Sequence, residues 1–340
     1  MPQRDKPLVS IIGSVYNGEQ HLAETLESLR AQDYSNFEVI IVNDASTDDS
    51  LSIIESYCLE DERFRFITNT NNEGPAAKNK AIEAAKGEFI AVFDADDIYA
   101  KSRISEQVKF MEKRPELLAS SCQAIKFEGQ QGLLWNYLSP SLLKAFAFIN
   151  MPLVHPSIIY RASVFKELNL RYDAPIRFVQ DYDLVFRLSQ QGAIANQAKV
   201  LMLYRRHDTQ VTSGEKMSYV QRAYDHLYQL KSRQLGQLIN DLNKKQIDLF
   251  IAFCFNDLES VDITEMENFL LKIVRAYPDS NSMGKVVAQH RLHQLKKSGI
   301  AHLFKHSMNS PILSLRDVFA YLNKEVMKKL FMHTKAKRYI

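Results

Sequence analysis

The sequence predicts an α/β protein: a Rossmann-like, mostly parallel sheet flanked by helices, with a helical C-terminal extension. Three observations carry this. Between residue 8 and about residue 100, short apolar and β-branched runs alternate with segments whose apolar residues recur every three or four positions. The links between these runs are short, and strand-helix alternation of this kind requires parallel strands joined by right-handed crossovers. From about Glu215 onward the pattern is helical throughout.

Leu8 to Ile12 is a short apolar strand, followed by the turn pair Asn17-Gly18 and then by Leu22, Leu26 and Leu29 on one helical face. Phe37 to Val42 is an apolar run suited to a strand covered on both faces. Ser46-Thr47-Asp48-Asp49 has the capping-box arrangement and should open a helix with Leu51, Ile54 and Cys58 inward. Phe64 to Thr68 is a third strand, Gly74-Pro75 starts a helix that ends at Lys86-Gly87, and Phe89 to Phe93 is a fourth strand. A helix follows around Ser102 to Arg114, then a strand from Leu117 to Phe127, a loop from Glu128 to Pro140 and a short strand from Ser157 to Tyr160. Asp181 to Gln191 reads as a helix stopped by Gly192, and Ala198 to Tyr204 as the final strand.

The 340 residues are 46% hydrophobic and 24% charged, with 11 Gly and 10 Pro, which excludes disordered, collagenous and low-complexity classes. This length fits one large domain with an appendage, or two domains. The three cysteines, Cys58, Cys122 and Cys254, are far apart and odd in number, so buried thiols in a reducing compartment are expected instead of disulfides or a zinc site. The longest uncharged apolar stretch, Ala145 to Tyr160, is broken by Asn150, Pro152, His155 and Pro156, and Met1 to Lys6 is polar. A cytoplasmic protein is expected. Net charge is +3 but lopsided: from Gly284 to the end there are 12 Lys/Arg against 2 acidic residues, and the remainder holds 31 against 38. Tyr321, Val326, Leu330 and Phe331 alternate with Lys324, Lys328, Lys329, Lys335, Lys337 and Arg338. That pattern fits either a solvated basic face or an amphipathic helix lying peripherally on anionic lipid at the inner face of the cell membrane. No nucleic-acid partner is expected, because the rest of the chain is acidic and has no aromatic-basic platform.

Polar clusters fall where the strands end: Asn43-Asp44, Asn71 to Gly74, and Asp94-Ala95-Asp96-Asp97. Ligands of open α/β sheets bind beyond the carboxyl ends of the strands, so all three should share one rim. Asp94 and Asp96, two residues apart on extended backbone, should point the same way, and the natural neutraliser is Mg²⁺ or Mn²⁺ completed by phosphate oxygens. Alone, each cluster also reads as a cap or turn.

Taken together, Val9 to Ile12 with Tyr16-Asn17, Val39 to Asp48, Asn72 to Asn79 and Asp94 to Asp97 resemble the family 2 glycosyltransferases of the GT-A fold, over roughly residues 7 to 213. The resemblance implies a transferase domain at residues 1–213, with a nucleotide-sugar half at about 7–100 and an acceptor half at 101–213, followed by a helical region at 214–340. It implies that Asp44 meets the nucleotide base, that Lys78 contacts base or phosphate, that Asp94 approaches the ribose and that Asp96 ligates the metal. Val15, Asn17, Asn72, Gly74 and Ala95 complete the donor contacts it implies, and Asp94 and His207 are further candidates for the metal. Lys78 stands where the family more often has Arg, so its contact would be a point charge instead of a planar fork. Asp181, in Val179-Gln180-Asp181-Tyr182-Asp183, matches the family's catalytic base. Gln180 replaces a common Glu, which removes a neighbouring charge and would leave Asp181 with a lower pKa than a Glu-Asp pair gives. Asp183 is expected to be structural. His155 and His207 are each open to a phosphate or metal role or a structural one.

The implied activity is an inverting, metal-dependent glycosyl transfer from a nucleotide sugar, expected to be a UDP-sugar, to a hydroxyl of a glycan or lipid-linked acceptor in cell-surface polysaccharide synthesis. Two enzymatic alternatives fit less well. A sugar-phosphate nucleotidyltransferase needs a Gly-rich loop with Arg after the first strand, and Gly13 to Asn17 lacks it. A processive synthase needs membrane spans and an Arg that Gln131 to Trp135 lacks. A non-catalytic nucleotide-sugar-binding protein would keep the fold with a decayed site.

Overall fold

The computed structural model describes residues 6–129, 132–134, 139–176, 178–207, 216–255 and 261–296. These residues divide into two compact units, one drawn from residues 1–147 and 151–214, the other from 148–150 and 215–340.

The chain opens with β1 (Val9–Val15), α1 (Glu19–Arg30), β2 (Phe37–Asn43), α2 (Ser50–Glu60), β3 (Phe64–Thr68), a 3-10 turn (Gly74–Ala77), α3 (Lys78–Ala84) and β4 (Phe89–Val92). It continues through β5 (Ile98–Tyr99), α4 (Arg103–Glu112), β6 (Leu117–Phe127), β7 (Gly132–Leu134), α5 (Pro140–Ile149), β8 (Ile159–Arg161), α6 (Ser163–Lys166), α7 (Gln180–Gln191) and β9 (Ala193–Arg205). The strands form one sheet in the order β3-β2-β1-β4-β8-β6-β9-β5, with β7 pairing off this path to β6. Pairings among β1 to β4 are parallel, as their crossover helices require. The other half is mixed: β8 runs antiparallel to both β4 and β6, β5 runs antiparallel to β9, and only β6 and β9 pair in parallel.

Alternation along the strands divides the core into two layers, because successive side chains point to opposite faces. Val9, Ile11, Val39, Ile41, Ala91 and Phe93 pack with Leu22, Leu26, Leu29 and Ile54 of α1 and α2. Ile12, Ile40, Val42, Ile90 and Val92 pack with Ala81 and Ile82 of α3 and with Leu184, Val185 and Leu188 of α7. Register aligns the strand ends: Val15 sits opposite Asn43, Asn43 opposite Thr68, and Ile12 opposite Val92. The segments after β1, β2, β3 and β4 therefore emerge along one edge. At Gly13 a Cβ would lie 2.5 Å from the Phe93 ring, so only glycine lets Phe93 cover β1.

Several sequence expectations are corrected. Ser46 does not cap α2; its Oγ accepts from the Asn17 amide, and the helix begins at Ser50 with no side-chain cap. Leu51 and Cys58 are only partly buried. The expected loop from Glu128 to Pro140 contains β7, the apolar stretch after it begins in α5, and the last strand starts five residues earlier than expected, at Ala193.

The second unit contains α8 (Lys216–Gly236), α9 (Lys244–Phe255), α10 (Ile263–Ala276) and α11 (Ser280–Lys296). Their apolar stripes supply its core, including Leu227, Leu230, Phe250, Phe253, Leu270 and Ile273. Asp262 caps α10 by accepting from the Glu265 amide. The basic segment with Tyr321 to Arg338 lies outside the described residues. No helix among the described residues is long and apolar enough to cross a membrane.

Candidate active site at the carboxyl edge of the sheet

The loops after β1 and β2 are laced together by reciprocal backbone-to-side-chain bonds. Asn17, in the left-handed region at φ 50°, accepts from the Thr47 amide at 2.8 Å. The Gly18 amide donates to Ser50 Oγ at 2.8 Å, the Glu19 amide to Asp48 Oδ2 at 3.0 Å, and the Asp49 amide back to Glu19 Oε2 at 2.9 Å. Val15, at the end of β1, accepts from the Asp44 amide at 2.8 Å, which fixes the start of the second loop.

Asp44 is only 2% exposed. Its carboxylate accepts from Asn69 Nδ2 at 2.7 Å, the Glu73 amide at 2.9 Å and the Gly74 amide at 2.8 Å. Gly74 also donates to Asn72 Oδ1 at 3.0 Å, and its φ of 64° suits a residue without Cβ. Asp44 thus shapes the loop ahead of α3, and one of its roughly four acceptor positions is left for a ligand.

The turn after β4 carries the acidic cluster, and its geometry differs from expectation. Residues 95 and 96 form a turn instead of an extended strand end, so the Asp94 and Asp96 side chains find different partners. Asp94 Oδ1 lies 3.4 Å from Nζ of the buried Lys78. Burial works against the Asp94 charge, yet Lys78, His155 and Arg103 outweigh it and hold the carboxyl below the usual carboxylate range. Asp96 Oδ2 lies 3.0 Å from His207 Nε2, and the His21 ring sits against that of His207 with centroids 5.1 Å apart. Burial, then Arg205 and His207, lower the His21 pKa.

The turn is held from below. Thr25 Oγ1 donates to the carbonyls of Ala95 and Asp97 at 2.9 and 2.8 Å. Arg205, 3% exposed, donates from Nε to the Asp96 carbonyl at 2.8 Å, ion-pairs with Glu24 and Glu128, and covers the Phe127 ring. Its amide donates to Asp97 Oδ1 at 3.0 Å. Burial, then the charges of Asp96 and Asp94, push the fully buried Asp97 carboxyl well above the usual range.

Asp181 occupies the first turn of α7, partly exposed, with Oδ1 accepting from the Tyr182 amide at 2.8 Å. Asp183 is fully buried and pairs with Arg187 at 2.7 Å. Lys78 and Asp94 pair at 3.4 Å, and the charges of Asp94, Asp181 and Lys78 all reach the buried His155 imidazole. Burial, helped by Lys78 and opposed by Asp94 and Asp181, lowers the His155 pKa and favours the neutral ring.

Asp96 and His207 are the pair suited to share an ion, a carboxylate and an imidazole facing each other. No group of three or more His, Cys, Asp or Glu that could hold a metal occurs among the described residues. A hard divalent ion fits a site with two protein donors when diphosphate oxygens and water complete it. Sequence reasoning missed Arg205, Thr25 and Tyr172, which touch the site through backbone or through other side chains. An Arg directly after an apolar strand reads in the sequence as a solvated strand end, so its burial shows only in the fold.

The fold is that of the GT-A glycosyltransferases. The sequence model of glycosyl transferase family 2 matches residues 10–168. A glycosyltransferase of Haemophilus influenzae is 29% identical over 305 residues, 85% of this chain and 91% of its own length. The putative glycosyltransferase EpsE of Bacillus subtilis is 33% identical over 190 residues, 55% of this chain and 68% of its own. Among solved structures, S. aureus TarS 1–349 in complex with UDP is 19% identical with a TM-score of 0.56, covering 89% of this chain and 92% of that one. The mannosyltransferase PcManGT from Pyrobaculum calidifontis, in complex with GDP-Man and Mn²⁺, is 17% identical with a TM-score of 0.56, covering 90% and 88%. The chain belongs to glycosyltransferase family 2.

Proposed function

We propose that this glycosyltransferase is an inverting, metal-dependent enzyme that moves a sugar from a UDP-sugar to a hydroxyl of a glycan or lipid-linked acceptor in cell-surface polysaccharide synthesis. The observation that carries this reading is that the turn after β4 meets a cation and an imidazole, Asp94 with Lys78 at 3.4 Å and Asp96 with His207 at 3.0 Å. Relatives support the pathway: one stretch of 110 residues is 39% identical to a putative teichuronic acid biosynthesis glycosyltransferase of Bacillus subtilis. Structural neighbours that bind UDP, UDP-GlcNAc, or GDP-Man with Mn²⁺ support a nucleotide-sugar donor and a divalent ion.

In this reading residues 1–213 carry the transferase, and the unit with α8 to α11 is accessory to it. The nucleotide lies over the ends of β1 and β2, against Val15, Asn17, Asp44, Asn72 and Gly74. Lys78 places its charge beside the phosphates, and Asp94 and Ala95 border the ribose. Asp96 and His207 would hold a divalent ion, which would supply charge neutralisation at the diphosphate. The acceptor hydroxyl forms a bond to the anomeric carbon while the bond to the diphosphate oxygen breaks on the opposite face. Asp181 takes the hydroxyl proton as this happens, an effect worth on the order of 10²–10⁴ in rate. The nucleoside diphosphate departs with the bonding electron pair.

The test is to incubate the purified protein with UDP-, GDP- and dTDP-sugars and Mn²⁺ and to record which nucleoside diphosphate is released. UDP release that stops on chelation is expected. Release of GDP alone would replace the donor assignment, and release unaffected by chelation would remove the metal.

A further inference from the structure

The displacement gives no part to three buried or half-buried polar side chains, those of His155, Tyr172 and Asn79. His155 Nε2 lies 2.9 Å from Tyr172 Oη, and the two rings meet edge to face with centroids 5.7 Å apart. Tyr172 is 2% exposed. Burial, then the neighbouring Tyr160 and the carboxylates of Asp181 and Asp94, push its phenol well above the usual value, so it keeps its proton. The charges of Asp94 and Asp181 reach both members of the pair.

The backbone around Tyr172 is tied in two directions. Asn79, next to Lys78 on α3, donates from Nδ2 to the Tyr172 carbonyl at 2.9 Å and accepts from the Tyr172 amide at 3.0 Å. Arg187 on α7 donates to the Arg171 carbonyl at 2.6 Å while bonding Asp183 at 2.7 Å. Residues 171 and 172 thus join the helix that carries Lys78 to the helix that carries Asp181. Apolar side chains would fill this volume without the cost of burying polar groups. The polar pair has to be explained by what lies on either side of it.

We propose that His155 and Tyr172, braced on Asn79, are positioning residues that set the separation between the leaving-group side of the site at Lys78 and Asp94 and the base Asp181. The proposal rests on the glycosyl-transfer reading. In-line displacement is sensitive to such spacing: a misplacement of about 1 Å can cost on the order of 10² in rate.

The experiment uses the full chain with Mn²⁺ and the nucleotide sugar that the wild type turns over, with water as acceptor. It measures nucleoside diphosphate release and, by calorimetry, nucleoside diphosphate affinity. His155→Ala and Tyr172→Phe should each slow release roughly 10–100-fold while leaving nucleotide affinity near wild type, and His155→Gln should recover most of the loss. In an Asp181→Asn background, His155→Ala should add almost nothing, because the residue acts through that base. Tyr172→Phe keeps the ring and the packing, and its melting curve should overlie the wild type. Equal losses from His155→Ala in both backgrounds, or nucleotide affinity falling in step with turnover, would overturn the proposal. A wild-type chain that binds nucleotide and turns it over, with variants indistinguishable from it, sinks this inference alone. A wild type that releases nothing from any donor sinks the glycosyl-transfer reading beneath it.

Discussion

Arg205 offers the sharpest test of how the acidic turn is held. Arg205→Met removes three contributions at once. The bond from Nε to the Asp96 carbonyl has a charged donor and is worth roughly 1.5–3 kcal/mol. The ion pairs to Glu24 and Glu128 contribute at most about 1 kcal/mol each, because those side chains are 58% and 50% exposed. The guanidinium lies 4.5 Å from the Phe127 ring centroid, a contact worth about 0.5–1 kcal/mol. The hydrogen bond to the turn therefore outweighs the surface charges, and a total near 3 kcal/mol corresponds to a fall in melting temperature of roughly 6–12 °C. Arg205→Lys divides the effect: it keeps the charge but has no planar fork to reach Asp96, Glu24 and Glu128 together. Thermal melts and calorimetry of UDP with Mn²⁺ should show the Lys variant losing more than half of what the Met variant loses, and nucleotide affinity dropping about 10–100-fold in both as Asp96, the metal ligand proposed above, loosens. An Arg205→Lys protein that matches the wild type in both measurements would refute the reasoning, since it would mean that charge alone supports the turn.

Further outcomes follow from the site and the cores. Asp181→Asn should keep UDP binding and lose transfer by about 10²–10⁴, whereas Asp96→Ala should abolish metal-dependent nucleotide binding; calorimetry beside a turnover assay separates the two. Gly13→Ala drives a Cβ to 2.5 Å from the Phe93 ring and should cost about 1–3 kcal/mol in denaturant melts, with Phe93→Leu restoring part of it. In the helical unit, burial lowers the Lys231 ammonium to about 8 and raises the Cys254 thiol to about 11. Between pH about 8 and 10.4 only the unfolded lysine holds its proton, so stability rises with pH; between about 8.5 and 11 only the folded thiol holds its proton, so stability falls. The two opposing slopes cancel in the wild type. Cys254→Ala should therefore gain up to about 1.4 kcal/mol per pH unit across pH 8.5–10, relative to a wild type that Lys231→Met undercuts. Parallel slopes for all three proteins in urea melts would contradict this.

The parallel half of the sheet was legible because each strand there is buried on both faces and each helix declares one apolar face, so composition and spacing agree. The other half was harder for physical reasons. β5 has two residues and β8 has three, too short to show a period. β9 has thirteen, but the exposed Ala198 and Lys199 interrupt the apolar run where the register shifts against β6. Ser46 shows the limit of local motifs: the hydroxyl that suits a cap finds a better partner across the loop in the Asn17 amide. At the site, Asp44, Lys78, Asp94, Asp96 and Asp181 could be singled out from the sequence, since each sits beside a strand end or helix start. Arg205 and Tyr172 could not, because they act through contacts with residues more than ninety positions away.

Burial sorts the carboxylates of this edge in a way that the sequence does not. Asp44, Asp97 and Asp183 are almost fully enclosed, and each accepts from a backbone amide or an arginine of its own framework. Asp94 and Asp96 have side chains 35% and 28% exposed, and each faces a cationic or imidazole partner that a ligand could share. A buried carboxylate with its partners in place is costly to disturb, so Asp97 and Asp183 serve the framework, whereas Asp44 keeps one acceptor position beyond its three bonds. A carboxylate that is a third exposed can exchange water for phosphate or metal at little cost. In Asp94-Ala95-Asp96-Asp97 the division therefore falls between neighbours: Asp97 is drawn under the turn by the Arg205 amide, and that anchoring leaves Asp96 turned outward toward His207.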